Sequence, residues 1–161
     1  MSYTTQQFAA ENPPLHHLVH EIDTGRLGLP DLQRPFVWKR SRIRDLLDSL
    51  YKGFPAGYFL FWATSQDVDS HSIGPETEQY PQQKMIVDGQ QRLTSLYSIL
   101  KGKPIITEDG NEQLIEISFN PISEEFSVKS SSTENNPRNI SNISDIWTSG
   151  KGSFDFITEY L

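Results

Sequence analysis

The sequence predicts an α+β fold in which a small mixed sheet is flanked by helices. Three stretches carry apolar residues at the three- and four-residue spacing of amphipathic helices. Between them lie short runs rich in aromatic and β-branched residues, which favour strands. Glycine and proline stand at the ends of both kinds of segment, where they end helices and turn the chain. A length of 161 residues is enough for one domain with one apolar core.

Three helices are predicted from apolar spacing and end signals. The first covers residues 14–24, and Gly25 follows it as a left-handed cap. The second has Ser41 as its N-cap and Gly53 at its end. The third carries its Leu and Tyr residues on one side and ends at Gly102. Helices of this kind bury one face against a sheet.

The predicted strands alternate with these helices. Residues 58–62 are aromatic, short and bounded by breakers, which indicates a buried strand. Residues 85–87 form a second apolar strand, and the polar stretch 64–83 between the two is predicted to be a loop. Residues 114–119 alternate like a half-buried strand, with residues 126–129 pairing back as a hairpin.

The charge of the chain is negative but unevenly distributed. A net charge of −7 repels polyphosphate at long range and disfavours unaided, sequence-independent DNA binding. Residues 33–44 nevertheless contain five basic residues and no acid, whereas residues 108–125 contain six acids and no base. Any anion site is therefore expected in the first segment.

Composition also restricts the compartment and the chemistry. The absence of cysteine fits a reducing compartment and excludes thiol nucleophiles, disulfides and thiolate zinc sites. The longest apolar run, residues 58–63, is shorter than the roughly 20 residues of a membrane span. The amino terminus lacks a basic and then apolar signal segment. We expect a cytoplasmic protein with no membrane partner.

The junction between the second strand and the third helix carries the candidate chemistry. Asp88 and Gly89 follow the strand, and Gln90, Gln91 and Arg92 fall in the first helical turn. Free backbone donors and the positive helix end attract anions there. Gly89 permits close approach of a phosphate, and Arg92 can bind its oxygens or balance transition-state charge. Asp88 would hold hydrated Mg²⁺ or orient the attacking water.

A purely structural alternative exists for the same residues. Asp88 and Gln91 have the spacing of a capping box, in which two side chains satisfy orphan backbone donors. The capping and anion-binding roles are compatible with each other. The pattern alone leaves both open.

A second group of candidates, in the basic segment, combines donors with aromatic surfaces: Gln33, Arg34, Phe36, Trp38, Lys39 and Arg40. Donors of this kind can meet a phosphate while an aromatic ring meets a base. The alternative is a solvated basic turn with Phe36 and Trp38 in the core. For the two aromatics the core is favoured, because large aromatic residues are more often packing residues than ligand platforms.

Two stretches together resemble a known family. The stretch LPDLQRPFVWKRSRIRDLLDSLYKGFPAG, followed by IVDGQQRLTSLYSIL, is similar to the paired signatures of the GmrSD-type restriction endonuclease N-terminal domain family. The resemblance spans about residues 13–120 and keeps the order of both motifs. It implies a ParB/sulfiredoxin-like fold, in which the Asp-Gly-Gln-Gln-Arg turn faces the Gln-Arg segment across a nucleotide pocket.

The resemblance assigns expected roles residue by residue. The expected catalytic residues are Asp88 and Arg92, with Asp88 also the Mg²⁺ ligand. The expected nucleotide-binding residues are Gln33, Arg34, Gly89, Gln90 and Gln91. Possible DNA contacts, taken from the basic segment itself, are Lys39, Arg40 and Arg42.

The function implied is that of a sensor and regulatory domain in an anti-phage restriction system. It would bind a nucleoside triphosphate with Mg²⁺ and hydrolyse it, licensing cleavage of modified phage DNA by a fused or separate His-Asn-His nuclease domain. A homodimer is possible. Residues 1–150 are expected to form the nucleotide-handling domain, and residues 151–161 the start of a helix leading into a C-terminal region.

Two other classes of function remain open. The chain could be a modified-DNA-binding module that uses residues 33–44, with binding that weakens steeply as salt rises. It could also be a non-catalytic interaction domain that binds a partner nuclease through the acidic residues 108–125. The intact Asp88-to-Arg92 motif ranks the nucleotide-hydrolysing domain first.

Overall fold

The protein has an α+β architecture of several helices and small sheets, as predicted. The computed structural model describes residues 8–30, 35–63, 70–71, 84–148 and 150. The helices are α1 (Leu15–Asp23), α2 (Arg40–Tyr51), α3 (Gln90–Lys101), α4 (Ser131–Glu134) and α5 (Asp145–Thr148). The strands are β1 (Leu27–Pro30), β2 (Leu60–Ala63), β3 (Ser70–His71), β4 (Lys84–Asp88), β5 (Ile105–Ile106), β6 (Glu112–Gln113), β7 (Ile117–Asn120) and β8 (Glu125–Val128).

The sheet that carries the candidate motif is mixed, with strand order β2-β4-β1-β3. β4 runs parallel to β1 and antiparallel to β2, while β3 pairs antiparallel with β1. β4 is an inner strand of this sheet, and its end at Asp88 pairs with Leu60 of β2. The β3 strand corrects the loop predicted for residues 64–83, of which only residues 70–71 are described.

The strand predicted at residues 58–62 exists, but its burial was wrongly predicted. β2 lies at an edge of the described sheet, and Tyr58, Leu60 and Trp62 are 93%, 49% and 59% exposed. Among its residues, Phe61 packs against the core as a partly buried residue. Aromatic content indicates a strand, but it does not distinguish an edge strand from a central one.

Helix α3 runs through the middle of the described structure. The predicted apolar side packs into the core through Leu93, Tyr97 and Leu100. The other faces of the helix are buried as well, since every residue from Leu93 to Ile99 is buried. Its serines are accommodated because the hydroxyls of Ser95 and Ser98 donate to the carbonyls of Gln91 and Lys103, both at 2.6 Å. A helix surrounded by core holds its first turn in a fixed place.

Two apolar clusters lie on either side of α3. The first joins α1, the sheet and α3: Leu18, Val19, Ile22, Leu27, Ile86, Leu93 and Tyr97. The second joins α2 and α3 to the later strands: Phe36, Ile43, Ile99, Ile105, Ile115, Ile117 and Ile143. The placement of Phe36 in this core confirms the packing role favoured for it.

The predicted hairpin is confirmed. β7 and β8 pair antiparallel, with Phe119 opposite Phe126. The ring of Tyr51, at the end of α2, meets both phenylalanine rings edge-on, with centroids 5.3 and 5.7 Å away. Packing of α2 on this hairpin fixes the helix whose first turn borders the candidate site.

The helix ends are partly as predicted. Gly25 and Gly102 follow α1 and α3 with positive φ values of 70° and 60°. Helix α2, however, begins at Arg40 with Lys39 as its N-cap and no side-chain capping bond, so the prediction of Ser41 as the cap is wrong. The earlier start places Arg42 in the first turn, where its guanidinium lies over the Trp38 ring.

The lengths of the helices bear on the expectation, from the sequence, that the chain has no membrane partner. No helix within the described ranges is both long and apolar enough to cross a membrane. The helix expected within residues 151–161 lies outside the described residues.

Candidate functional site

The junction between β4 and α3 has the geometry of an uncapped helix start. Gly89 is the N-cap of α3, with φ 91° and ψ 7°, and the Gln91 side chain bonds to the backbone of Val37 and Pro35 rather than to Asp88. The capping box between Asp88 and Gln91 is therefore not formed, and that alternative is wrong. The Asp88 side chain is instead 77% exposed, with Oδ2 at 3.5 Å from Nη2 of Arg92. The N-cap residue itself, a glycine, contributes no side-chain hydrogen bond to the start of α3.

The backbone at Gly89 passes too close to its neighbours for any other residue. A Cβ there would lie 2.6 Å from Cδ1 of Phe59 and 3.1 Å from Nη2 of Arg92. The positive φ adds a conformational cost for a residue with a side chain. Close packing against Phe59 and Arg92 therefore favours glycine at this position of the motif.

The side chain of Gln91 joins the start of α3 to the segment before α2. Its Oε1 accepts from the backbone N–H of Val37 at 2.9 Å, and its Nε2 donates to the carbonyl of Pro35 at 3.1 Å. We call this pair of hydrogen bonds the Gln91 bridge. It holds the two sequence motifs side by side, although 54 residues separate Gln91 from Val37.

The Arg92 guanidinium joins the same helix start to the turn before β2. It donates to the carbonyl of Ala56 and, from Nη2, to the carbonyl of Tyr58 at 2.7 Å. It also lies over the Phe59 ring, with Cζ 5.1 Å from the ring centroid. Its side chain is 17% exposed. Arg92 therefore has a structural role in addition to any role toward a ligand.

The start of α2 supplies the opposite wall. Trp38 is half-buried and packs against the second apolar cluster, and the Arg42 guanidinium lies over its ring at 4.4 Å from the centroid. Lys39, Arg40 and Arg42 are all exposed. This wall thus combines an aromatic surface with positive charge.

The two walls enclose an open cleft of about 860 Å³. It is lined by Val37, Trp38, Lys39, Ser41, Arg42, Val87, Asp88, Gly89, Gln90, Gln91 and Arg92. The cleft brings together all five residues of the second motif with Lys39 and Arg42. Arg40 is not part of the lining, and Gln33 and Arg34 lie outside the described residues.

The charges in the lining favour an anion. Three cationic side chains, those of Lys39, Arg42 and Arg92, face one carboxylate, that of Asp88. The described ranges contain no group of three or more His, Cys, Asp or Glu side chains placed to hold a metal ion. A single exposed carboxylate fits Mg²⁺ that takes its other ligands from phosphates and water, the usual arrangement at nucleotide sites.

Sequence reasoning missed two features of this site. Ser41 was assigned to a helix cap but lines the cleft, and the carbonyls of Ala56 and Tyr58 were not recognised as partners of Arg92. Gly57 directly precedes the strand predicted at residues 58–62. A Cβ at Gly57 would collide with the Arg92 guanidinium, so the contact with Arg92 favours glycine at this position.

Comparison with known proteins identifies the family of the chain. The uncharacterized protein MJ0686 of Methanocaldococcus jannaschii is 34% identical over 89 residues, which make up 50% of this chain and 15% of that protein. The matched part is thus a small share of a much longer protein. The family described as "GmrSD restriction endonuclease, N-terminal domain" matches residues 15–160, nearly the whole chain. The chain therefore belongs to the GmrSD restriction endonuclease N-terminal domain family, which implies a component of a restriction system.

Proposed function

We propose that the chain binds a nucleoside triphosphate with Mg²⁺ in the cleft and hydrolyses it, as the sensing domain of a restriction system directed at modified phage DNA. The observation that carries the proposal is the convergence of Asp88, Gly89 and the first turn of α3 with Lys39 and Arg42 on one cleft. The family membership supports the restriction context. The nucleotide chemistry rests on the geometry of the cleft.

The phosphates would lie at the start of α3. The first N–H groups of a helix have no acceptor within the helix, and its dipole favours negative charge at this end. Here the N-cap is a glycine without a side chain, so a phosphate can approach the backbone closely. Gln90 also lines this part of the cleft. This end of the cleft is the expected phosphate subsite.

Positive side chains would balance the remaining phosphate charge. Lys39 and Arg42 are exposed on the opposite wall and can move toward a ligand. Because Arg92 is hydrogen bonded to the carbonyls of Ala56 and Tyr58, it supplies a positive charge at a fixed position. A charge that needs no rearrangement during the reaction is suited to stabilising a transition state.

Asp88 would serve the metal and the water. Asp88 would hold Mg²⁺, which would supply positive charge to offset the charge that develops on the phosphate oxygens. In hydrolysis, a water oxygen bonds to the γ-phosphorus while the bond to the β–γ bridging oxygen breaks, which yields the diphosphate and inorganic phosphate. The exposed Asp88 carboxylate would orient that water. The proton that the water loses passes to this carboxylate or to the released phosphate.

Gln33 and Arg34 are also part of the proposal, as nucleotide-binding residues predicted from the sequence. They directly precede Pro35, whose carbonyl accepts from Gln91. The partner nuclease and the sensing of modified DNA are likewise part of the proposal and follow from the family resemblance. The cytoplasmic location is also proposed, from the composition of the sequence.

A test of the proposed function is phosphate release from ATP, GTP, CTP and UTP, each measured with Mg²⁺ and with excess chelator. The proposal predicts release, above the rate of a protein-free blank, that depends on Mg²⁺. Failure to release phosphate, together with no nucleotide binding by calorimetry, would contradict it and favour an interaction domain. Binding without release would contradict only the hydrolytic part.

A second candidate function, direct DNA binding, is favoured by one observation. Lys39, Arg40 and Arg42 are exposed within the first turn of α2 and the residue before it. If they contact DNA phosphates, the affinity for duplex DNA must fall steeply between low and moderate salt. An affinity that does not change with salt excludes these contacts.

A further inference from the structure

The cleft has two chemically different ends, and the proposed function uses Arg42 only as a positive charge and gives Trp38 no role. At the polar end stand Asp88, Gly89 and the start of α3. At the other end, Trp38 and Arg42 form a stack in which the guanidinium lies 4.4 Å from the ring centroid. We call this pair the Trp38–Arg42 platform. Both of its members line the cleft.

The platform is supported from beneath. Trp38 is half-buried and packs against the second apolar cluster, of which Ile43 in the first turns of α2 is a fully buried member. Arg42 is exposed, and its guanidinium lies over the Trp38 ring. Because one side of the indole is fixed by the core, its position in the cleft does not depend on a ligand.

The platform is also held in register with the phosphate end. The Gln91 bridge fixes the backbone of Pro35 and Val37 against the first turn of α3, and Trp38 is the next residue. The separation between the aromatic end and the start of α3 is therefore set by two hydrogen bonds from a single amide. A ligand that reaches both ends meets walls of fixed spacing.

We propose that the Trp38–Arg42 platform is the nucleobase subsite of the cleft, so that it recognises the base while α3 holds the triphosphate. This inference rests on the proposed nucleotide site and deepens it. A guanidinium stacked on an indole presents a flat, cationic face outward, and a base stacks on such a face or replaces the guanidinium on the ring. Stacking is tolerant of base identity. The platform therefore accepts all four nucleotides, and purines bind more tightly than pyrimidines because they cover more of it.

The test compares two magnesium-loaded ligands that differ only in having a base and sugar. The affinities of ATP and of inorganic tripolyphosphate are measured by calorimetry for the wild-type chain and for Trp38→Ala and Trp38→Phe. Base–aromatic stacking of the usual strength predicts that Trp38→Ala weakens ATP binding roughly tenfold or more. Tripolyphosphate affinity should stay unchanged within about twofold, and Trp38→Phe should fall between the wild type and Trp38→Ala.

A matched control is Trp62→Ala, which removes an exposed indole from β2 outside the cleft lining. It should leave both affinities unchanged. Circular dichroism and melting curves establish whether each variant is folded. If Trp38→Ala does not fold, the affinities of Trp38→Phe are compared with those of the wild type instead.

The outcomes separate this inference from the function on which it rests. Equal ATP affinity in Trp38→Ala and the wild type, or parallel losses for ATP and tripolyphosphate, would overturn the platform and leave the phosphate site standing. If the wild type binds neither ligand, both proposals are overturned. If Trp38→Ala weakens only duplex DNA binding, the platform contacts DNA and is not a nucleotide subsite.

Discussion

The Gln91 side-chain amide is hydrogen bonded to the backbone of Val37, with Oε1 accepting from the Val37 N–H at 2.9 Å. A second bond runs from Nε2 to the Pro35 carbonyl. Gln91 of the Asp-Gly-Gln-Gln-Arg motif is therefore connected to the segment that contains the Gln-Arg motif. Gln91 thus acts by positioning the two walls of the cleft.

Gln91→Ala should destabilise the protein by about 1–3 kcal/mol, because two backbone groups lose their partners. Gln91→Glu is a sharper variant. It keeps an acceptor for Val37 but places a carboxylate oxygen against the Pro35 carbonyl, so it should be at least as destabilised. Urea unfolding measures both free energies. A Gln91→Glu variant as stable as the wild type would show that the Pro35 bond contributes nothing.

Gly89→Ala should destabilise the protein by roughly 2 kcal/mol or more, since a positive φ and a steric collision add together. The collision is with Cδ1 of Phe59, 2.6 Å from the added Cβ. The matched control is Gly110→Ala, at φ 73° with no atom within 4 Å of its Cβ, which carries the conformational cost alone. Thermal melts measure the loss of stability in each of the two variants. Equal losses would mean that Phe59 moves aside and that packing does not require the glycine.

Arg92→Lys should reduce stability even though the charge is retained. A lysine ammonium cannot reproduce the planar donor arrangement that holds the carbonyls of Ala56 and Tyr58. The loss of these bonds in a largely buried position should cost about 1.5–3 kcal/mol. Chemical denaturation provides the measurement, and Lys103→Arg, at an exposed position, provides the control. An unchanged free energy of unfolding for Arg92→Lys would refute the structural role, and a loss would make Arg92 variants unsuitable as sole probes of catalysis.

Stability should fall at alkaline pH through Tyr97. Burial raises the pKa of the Tyr97 hydroxyl, and the hydrogen bond it donates to Asp23 at 2.9 Å raises it further. Below the usual tyrosine pKa of about 10, the hydroxyl is protonated in both states and contributes no pH dependence. Above it, the unfolded chain loses the proton first, so the free energy of unfolding decreases as pH rises. Tyr97→Phe should be less stable at neutral pH and show a shallower decline above pH 10 in urea titrations; an unchanged slope would contradict this origin.

Much of the fold could be predicted because its signals are local. Gly25 and Gly102 follow helices, and residues 85–87 are apolar and lead into α3. The hairpin also follows from alternation around residues 117–128. These features depend on residues within a few positions of one another, which is the range over which periodicity and turn preference operate.

What could not be predicted depends on distant partners. Gln91 has the spacing of a capping box with Asp88, but the backbone of Pro35 and Val37 offers its amide two bonds instead. Ser41 is a good cap by preference, yet α2 starts earlier, with Arg42 lying over Trp38. The exposure of β2 depends on its place at the edge of the sheet. In each case tertiary contacts outweigh a local preference of about 1 kcal/mol.

The most direct test of the central claim is Mg²⁺-dependent phosphate release by Asp88→Asn, compared with the wild type and with Asp109→Asn. Asp88 is exposed, and its ion pair with Arg92 is long at 3.5 Å, so its replacement should leave the melting temperature nearly unchanged. Asp109 is an exposed aspartate outside the cleft lining. The account predicts that Asp88→Asn lowers the rate by at least about a hundredfold, as expected for loss of a group that acts on the metal or water, while Asp109→Asn releases phosphate like the wild type. A folded Asp88→Asn protein with wild-type turnover would contradict it.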